Sequence, residues 1–346
     1  MKKFHLFLLL LGLIFLAGLL YNIGLRVLWQ ELGAIGWGLI PFILLEIVAE
    51  GIHTLGWREC LPQKNRVSWY RLFQIRMAGY AINYLTPTAA LGGEATKATL
   101  LFSDYRAPEA VCVVLAGKLS AGVSQLLFVI VGSLFIISRV TLPPTLWTAM
   151  LVSTGVVGAG MLAFFVLQKY GKLGAFVRWL AARRSSNRLL QIAAHQISDV
   201  DSTLTAFYRE RPRALPMAVT WQVVAHSTGI LQAWWFLHIL HLPASFTLAT
   251  SIWVLGLWFD MLTFAVPLNV GTLEGSRMIA FKAVALGGVQ GMTYGLALRL
   301  AQMSCAALGL IYYGQLVTKP LKLRPQPENL PNRGNKPRPS ELTPSN

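Results

Sequence analysis

"NYLTPTAALGGEATKATLL", residues 83–101, decides how the chain is read. It sets a proline, two adjacent glycines, a glutamate and a lysine inside a chain that otherwise runs from one apolar stretch to the next. A charged side chain at the centre of a bilayer costs roughly 2.5–3.5 kcal/mol even on lenient insertion scales. Such groups need a purpose or a partner.

The surroundings establish the solvent. Of 346 residues, 55% are hydrophobic and only 13% charged, against about 25% charged in ordinary soluble domains. Mean hydropathy is +0.54. Stretches such as "FHLFLLLLGLIFLAGLLYNIG", "LSAGVSQLLFVIVGSLFII" and "LWTAMLVSTGVVGAGMLAFFVL" each supply the roughly 20 apolar residues that cross a hydrocarbon core. The fold class is therefore all-α, a polytopic membrane protein.

Lys and Arg outnumber Asp and Glu by 30 to 14, a net charge of +16. The excess sits in a few segments: Arg58, Lys64, Arg66 and Arg71; Lys169 through Arg188; Arg209, Arg211 and Arg213; Lys319 through Arg338. This is the positive-inside pattern of cytoplasmic loops, and no nucleic-acid partner is expected. Attraction to anionic headgroups comes with it. Cys60, Cys112 and Cys305 show no paired spacing, so no disulfide framework follows. His238 and His241 lack a third ligand nearby and stand beside Trp234 and Trp235, a setting for an interfacial role, so no metal is expected. No nucleophile–base–acid set or cofactor fingerprint is found, and no cofactor is expected.

Beginning inside at Lys2 and Lys3, an uncleaved first span covers about 4–25 and a second about 36–55. From about 69 to 102 the helix is interrupted by "TPTAALGG", and each arm is too short to cross comfortably. A re-entrant hairpin opening on the cytoplasmic side fits. Spans follow at about 109–137 and 145–167, then a basic stretch in which Leu190, Ala193, Ile197, Val200, Leu204 and Phe207 mark an amphipathic helix over 187–209. That helix either lies along the inner membrane surface or packs under the protein. A fifth span at about 213–240 leads to a second broken element over 247–287, and a sixth at about 291–317 returns inside. Only Arg26 and Arg139 then stand as outer-loop cations. The integral domain is 1–317; residues 318–346 form a basic cytoplasmic tail too polar to make a core and expected to be disordered. Both termini face the cytoplasm, and the location is the inner (plasma) membrane.

The two broken elements repeat one motif. Pro87 precedes Glu94 by seven positions and Pro267 precedes Glu274 by seven. Each glutamate is followed three residues on by a cation, Lys97 or Arg277, and preceded by glycine, Gly92 and Gly93 or Gly271. The first opens from the cytoplasm and the second from outside, so the halves form an inverted repeat, the arrangement that points to a transporter's binding site. Broken backbone frees N–H groups at a short helix start, which favour an anion. A structural reading stands beside this, with Glu94–Lys97 and Glu274–Arg277 as plain i,i+3 pairs. Arg299 and Asp260 join the candidate site, with Glu46, Glu50, Arg76, Lys118 and Lys282 as secondary candidates. Paired intramembrane acids such as Glu46 and Glu50 suit proton relays.

Asn83, Pro87, "GGE" with Lys97, "VPLNVGTLEG" and Arg299 together resemble the lysylphosphatidylglycerol synthase transmembrane-domain family, also called flippase-like, which includes hopanoid-associated members. The resemblance covers about 4–317. It implies a lipid translocase fold, with anionic or zwitterionic membrane lipids as partners. Lys97 and Lys118 stand where the family often has arginine, and lysine lacks the bidentate fork for phosphate. The family's full synthases add a soluble aminoacyl-transferase domain, which is not expected after Val317, so the chain is expected not to be an enzyme. The alternatives are a membrane-embedded enzyme or partner subunit acting on a lipid-linked substrate, and a non-catalytic scaffold in lipid or glycan biosynthesis. A lipid-biosynthesis enzyme and a second copy of the chain are further candidate partners.

Overall fold

A computed structural model describes residues 33, 35–62, 67–86, 91–137, 143–176, 179, 188–263 and 272–318. The first span over 4–25, Pro87, Pro267, Gly271, Arg26, Arg139 and the tail beyond Thr318 lie outside the described residues. The described chain is helical, with no strand among the described residues.

A 3-10 turn at Gly36–Gly38 leads into α1, Leu39–Glu59. Arg211 caps the far end of α1, donating to the carbonyls of Leu61 and, at 3.1 Å, Glu59. α2, Trp69–Leu85, begins at Ser68, whose hydroxyl accepts from the Arg71 N–H. It stops at Thr86, which is extended (φ −114°, ψ 138°), as a residue preceding proline prefers. α3, Leu91–Leu101, carries Glu94 in its first turn. α4, Ala107–Ile136, starts where the Glu109 carboxylate accepts from the Arg106 N–H at 3.2 Å. α5, Pro144–Lys169, α6, Arg188–Glu210, α7, Ala214–Ile239, α8, Phe246–Thr263, α9, Thr272–Ala283, and α10, Gly288–Thr318, complete the order.

Five of these are long and apolar enough to cross a membrane: Gly36–Glu59, Ala107–Ile136, Pro144–Lys169, Phe246–Thr263 and Gly288–Thr318. On α5, Leu151, Val152, Val156 and Leu162 are 62–69% exposed, a surface that only hydrocarbon solvates cheaply. The molecule is an all-α polytopic membrane protein. The helix expected as the fifth span, α7, runs 26 residues, and Gln222, His226, Ser227, Thr228 and Gln232 interrupt its apolar run. α8, expected as the short first arm of the second broken element, meets the criterion by itself.

Packing places the two broken elements at opposite ends of the bundle. α2 and α3 run against each other, and Arg71 clamps their open end, donating to Asp104 at 2.9 and 3.1 Å and to Ser103 at 2.8 Å. Leu72, Ile75, Leu100 and Leu101 at that end share a core with Trp57 and Leu61 at the close of α1. In the second element Ala249, Ile252 and Phe281 share a core with Phe42 at the start of α1 and Phe236 late in α7. α6 lies under the bundle: Val200, Leu204 and Phe207 are buried in the same core as Trp57 and Tyr105.

The α2–α3 contact is made by glycines. A Cβ on Gly93 would come within 2.1 Å of the Gly79 carbonyl oxygen and 2.4 Å of Asn83 Oδ1, whereas one on Gly275 would meet nothing within 4 Å. Gly93→Ala is expected to destabilise the protein by about 1–3 kcal/mol and lower its thermal midpoint in detergent. Gly275→Ala, measured alongside, shifts the midpoint by no more than the small helix-propensity gain.

Candidate functional site

Asn83, the last polar residue before the first break, accepts at Oδ1 from the Gly93 N–H at 2.7 Å. It satisfies one of the donors that the start of α3 leaves without a helical acceptor. Glu94 sits one residue later and accepts from Lys97 Nζ at 2.9 and 3.0 Å. Lys118 on α4 approaches the same carboxylate at 3.7 Å. The Lys97 ammonium also lies 5.7 Å from the Trp57 ring centroid, within cation–π range. Thr96 donates to the Gly92 carbonyl at 2.8 Å. Well before the break, in the middle of α2, Arg76 pairs with Glu50 on α1 at 2.7 Å.

The second element solves the same problem with different partners. Arg277, 1% exposed, makes a two-pronged pair with Asp260 on α8, at 3.0 and 2.7 Å. The guanidinium also donates to the Gly256 carbonyl at 3.0 Å and to Ser276 Oγ. Its buried Nε has no hydrogen-bond partner among the described residues. Glu274 pairs across to Arg299 on α10, through Arg299 Nε and, at 2.9 Å, Nη2. The i,i+3 pairing expected on structural grounds thus forms at Glu94–Lys97 but not at Glu274–Arg277. An antiparallel neighbour, Asp260, presents both oxygens to the arginine fork in plane, and Glu274 is released to the next helix.

The two sets join. Tyr84, on the first hairpin, is in electrostatic contact with Arg299, Glu274 and Glu46. Tyr80 is in electrostatic contact with Glu46, Glu50 and Cys305, and its ring is stacked on Tyr84 with centroids 6.1 Å apart. Glu46 accepts from Gln232 Nε2 at 3.1 Å and feels the charges of Glu50, Arg277 and Asp260. A polar seam therefore runs from Lys118 and Glu94 at one break through Arg76, Glu50 and Glu46 to Arg299, Glu274, Arg277 and Asp260 at the other. Lys282 is the exception, exposed near the end of α9. Tyr80, Tyr84, Gln232 and Tyr294 were not read as site residues. Gln232 had a signal, a lone amide in the apolar run "GILQAWWF"; the tyrosines had none, being common in apolar helices.

Chemically the seam is a row of ion pairs, Arg76–Glu50, Lys97–Glu94, Arg277–Asp260 and Arg299–Glu274, with Lys118 beside Glu94 and Glu46 bonded to Gln232. An intact buried pair roughly offsets its own desolvation, while removal of one partner strands a charge at a cost of about 3–5 kcal/mol. Asp260→Asn is expected to lower stability by that order, read as a fall in the thermal midpoint in detergent. The double change Asp260→Asn with Arg277→Met should recover most of the loss.

Comparison with curated proteins and with solved structures returns no match. The profile of a membrane family, described as the lysylphosphatidylglycerol synthase TM region, matches residues 6–309. That span takes in both breaks and every residue of the seam, and the chain belongs to the lysylphosphatidylglycerol synthase transmembrane-region family.

Proposed function

We propose that the protein is a lipid translocase that carries a phospholipid or lipid-linked headgroup along the seam between two re-entrant elements. The observation that carries this reading is the junction of the two breaks, where Tyr84 of the first element lies beside the Arg299–Glu274 pair of the second. A polar path continuous between elements rooted at opposite ends of the bundle is what a headgroup needs to cross an apolar medium. Corresponding interruptions with the Pro–Gly–Glu–cation pattern support an inverted repeat, with the basic loops and both termini on the cytoplasmic side of the inner membrane.

In this mechanism the headgroup trades partners with the protein. Its phosphate takes up donors from Lys97, Arg299 or Arg277, whose Nε is unspent, and an amine or hydroxyl takes up the carboxylates of Glu94 and Glu274. A zwitterion replaces an internal ion pair charge for charge, so no step leaves an uncompensated buried ion. The acyl chains remain in hydrocarbon, and rocking of one repeat against the other exposes the seam to each leaflet in turn. No bond is made or broken, so the reading is of a transporter and not an enzyme.

The test is reconstitution into vesicles carrying fluorescent phospholipids, with the leaflets distinguished by a membrane-impermeant quencher. Translocation without chemical change of the lipid is expected. Glu94→Gln and Glu274→Gln should each slow it by at least about tenfold, about 1.4 kcal/mol of barrier, with rates normalised to monodisperse protein. Wild-type rates in both variants, or conversion of the lipid, would overturn the reading.

A further inference from the structure

The acids of the seam are not equivalent. Glu50 has Arg76, Glu94 has Lys97 and Lys118, Asp260 has Arg277, and Glu274 has Arg299. Glu46, half-buried in the middle of α1, has only the neutral amide of Gln232 and no ion-pair partner among the described residues. Its surroundings sharpen the difference. Glu50 stands one turn along the same helix; Tyr80 and Tyr84 face it from α2, Arg277 from α9, Asp260 from α8, and Tyr294 and Cys305 from α10. Arg277 is the cation in reach on the second element, and both its terminal nitrogens are committed to Asp260. Beside this group lies the Tyr294 hydroxyl, fully buried and without a hydrogen-bond partner among the described residues.

We propose that Glu46 is a proton-exchange site that couples proton movement to lipid movement, a step that rests on the translocase reading above. A carboxylate held by one neutral donor, with Glu50 and Asp260 as like charges nearby and the nearby arginine already committed, is compensated at least cost by a proton, because nothing else has to move. The proton comes from water on one side of the membrane, forms an O–H bond at a Glu46 oxygen, and leaves to water on the other side. Nothing is consumed.

Coupling follows from the neighbours. Ionised Glu46 attracts Arg277 and repels Asp260, and so competes for the guanidinium that ties α9 to α8. Protonated Glu46 withdraws from that competition, and Arg277 returns wholly to Asp260. Proton occupancy at Glu46 thus biases whether the two arms of the second element are held together.

The experiment uses the full chain in vesicles of phosphatidylethanolamine and phosphatidylglycerol, with traces of acyl-labelled phosphatidylethanolamine, phosphatidylglycerol and phosphatidylcholine assayed in parallel. Membrane potential is clamped with potassium and valinomycin, and protein-free vesicles give the baseline. One proton carried per lipid under a gradient of about one pH unit shifts the steady-state distribution of the transported lipid by up to about tenfold. That asymmetry is expected for wild type and is expected to vanish in Glu46→Gln, which keeps the hydrogen-bond site and cannot exchange a proton. A pH dye sealed inside wild-type vesicles, expected to report proton uptake when a lipid gradient is imposed, tests the same coupling without any variant. Lipid that moves but stays evenly distributed in wild type, or a Glu46→Gln protein that still concentrates it, overturns the proton site and leaves the translocase reading standing. Failure of wild type to move any of the lipids overturns both.

Discussion

Hydrocarbon offers neither hydrogen bonds nor counter-ions, and that constraint organises the interior of this protein. Beside the first interruption Asn83 accepts from the N–H of Gly93, and the main charged side chains are answered from within: Lys97 answers Glu94, Asp260 answers Arg277 and Glu274 answers Arg299. The partners come from different helices in three of the main pairs, Glu50–Arg76, Asp260–Arg277 and Glu274–Arg299. Satisfying the local charge therefore also fixes how α1 meets α2, α8 meets α9, and α9 meets α10. Fold and site share one set of contacts.

Much of this was legible in the sequence, and the reason is periodicity. Apolar runs bounded by basic loops place α1, α4, α5 and α10 to within a few residues of their expected limits. "TPTAALGG" fixes the end of α2, because proline bars its predecessor from helical dihedrals. The polar candidates other than Lys282 gather as their cost in lipid demands. What could not be read was who pairs with whom. Three-residue spacing makes Glu274 and Arg277 look like partners, but spacing describes one helix, whereas Asp260 reaches Arg277 from the antiparallel arm. The polar residues of α7 show the same limit, because their partners lie on another helix: Gln222 meets the His53 ring, and Gln232 bonds the Phe42 carbonyl and Glu46.

The amphipathic α6 follows a basic stretch but is not itself basic, since Arg188 and Arg209 stand against Asp199, Asp201 and Glu210. Its apolar stripe would suit a membrane surface as well as a protein core. In its second half Leu204 is buried in one core with Trp57 and Tyr105, and the neighbouring Arg211 holds the end of α1 by its carbonyls. The positive charge that reads as topology in the sequence is in part spent on helix termini.

The first hairpin is tied at both ends, by Arg71 to Asp104 at its mouth and by Asn83 to Gly93 at its tip, with glycine backbone against backbone between. Contacts at both levels join α2 to α3, so a displacement of one helix along its axis would have to break them or carry the other helix with it.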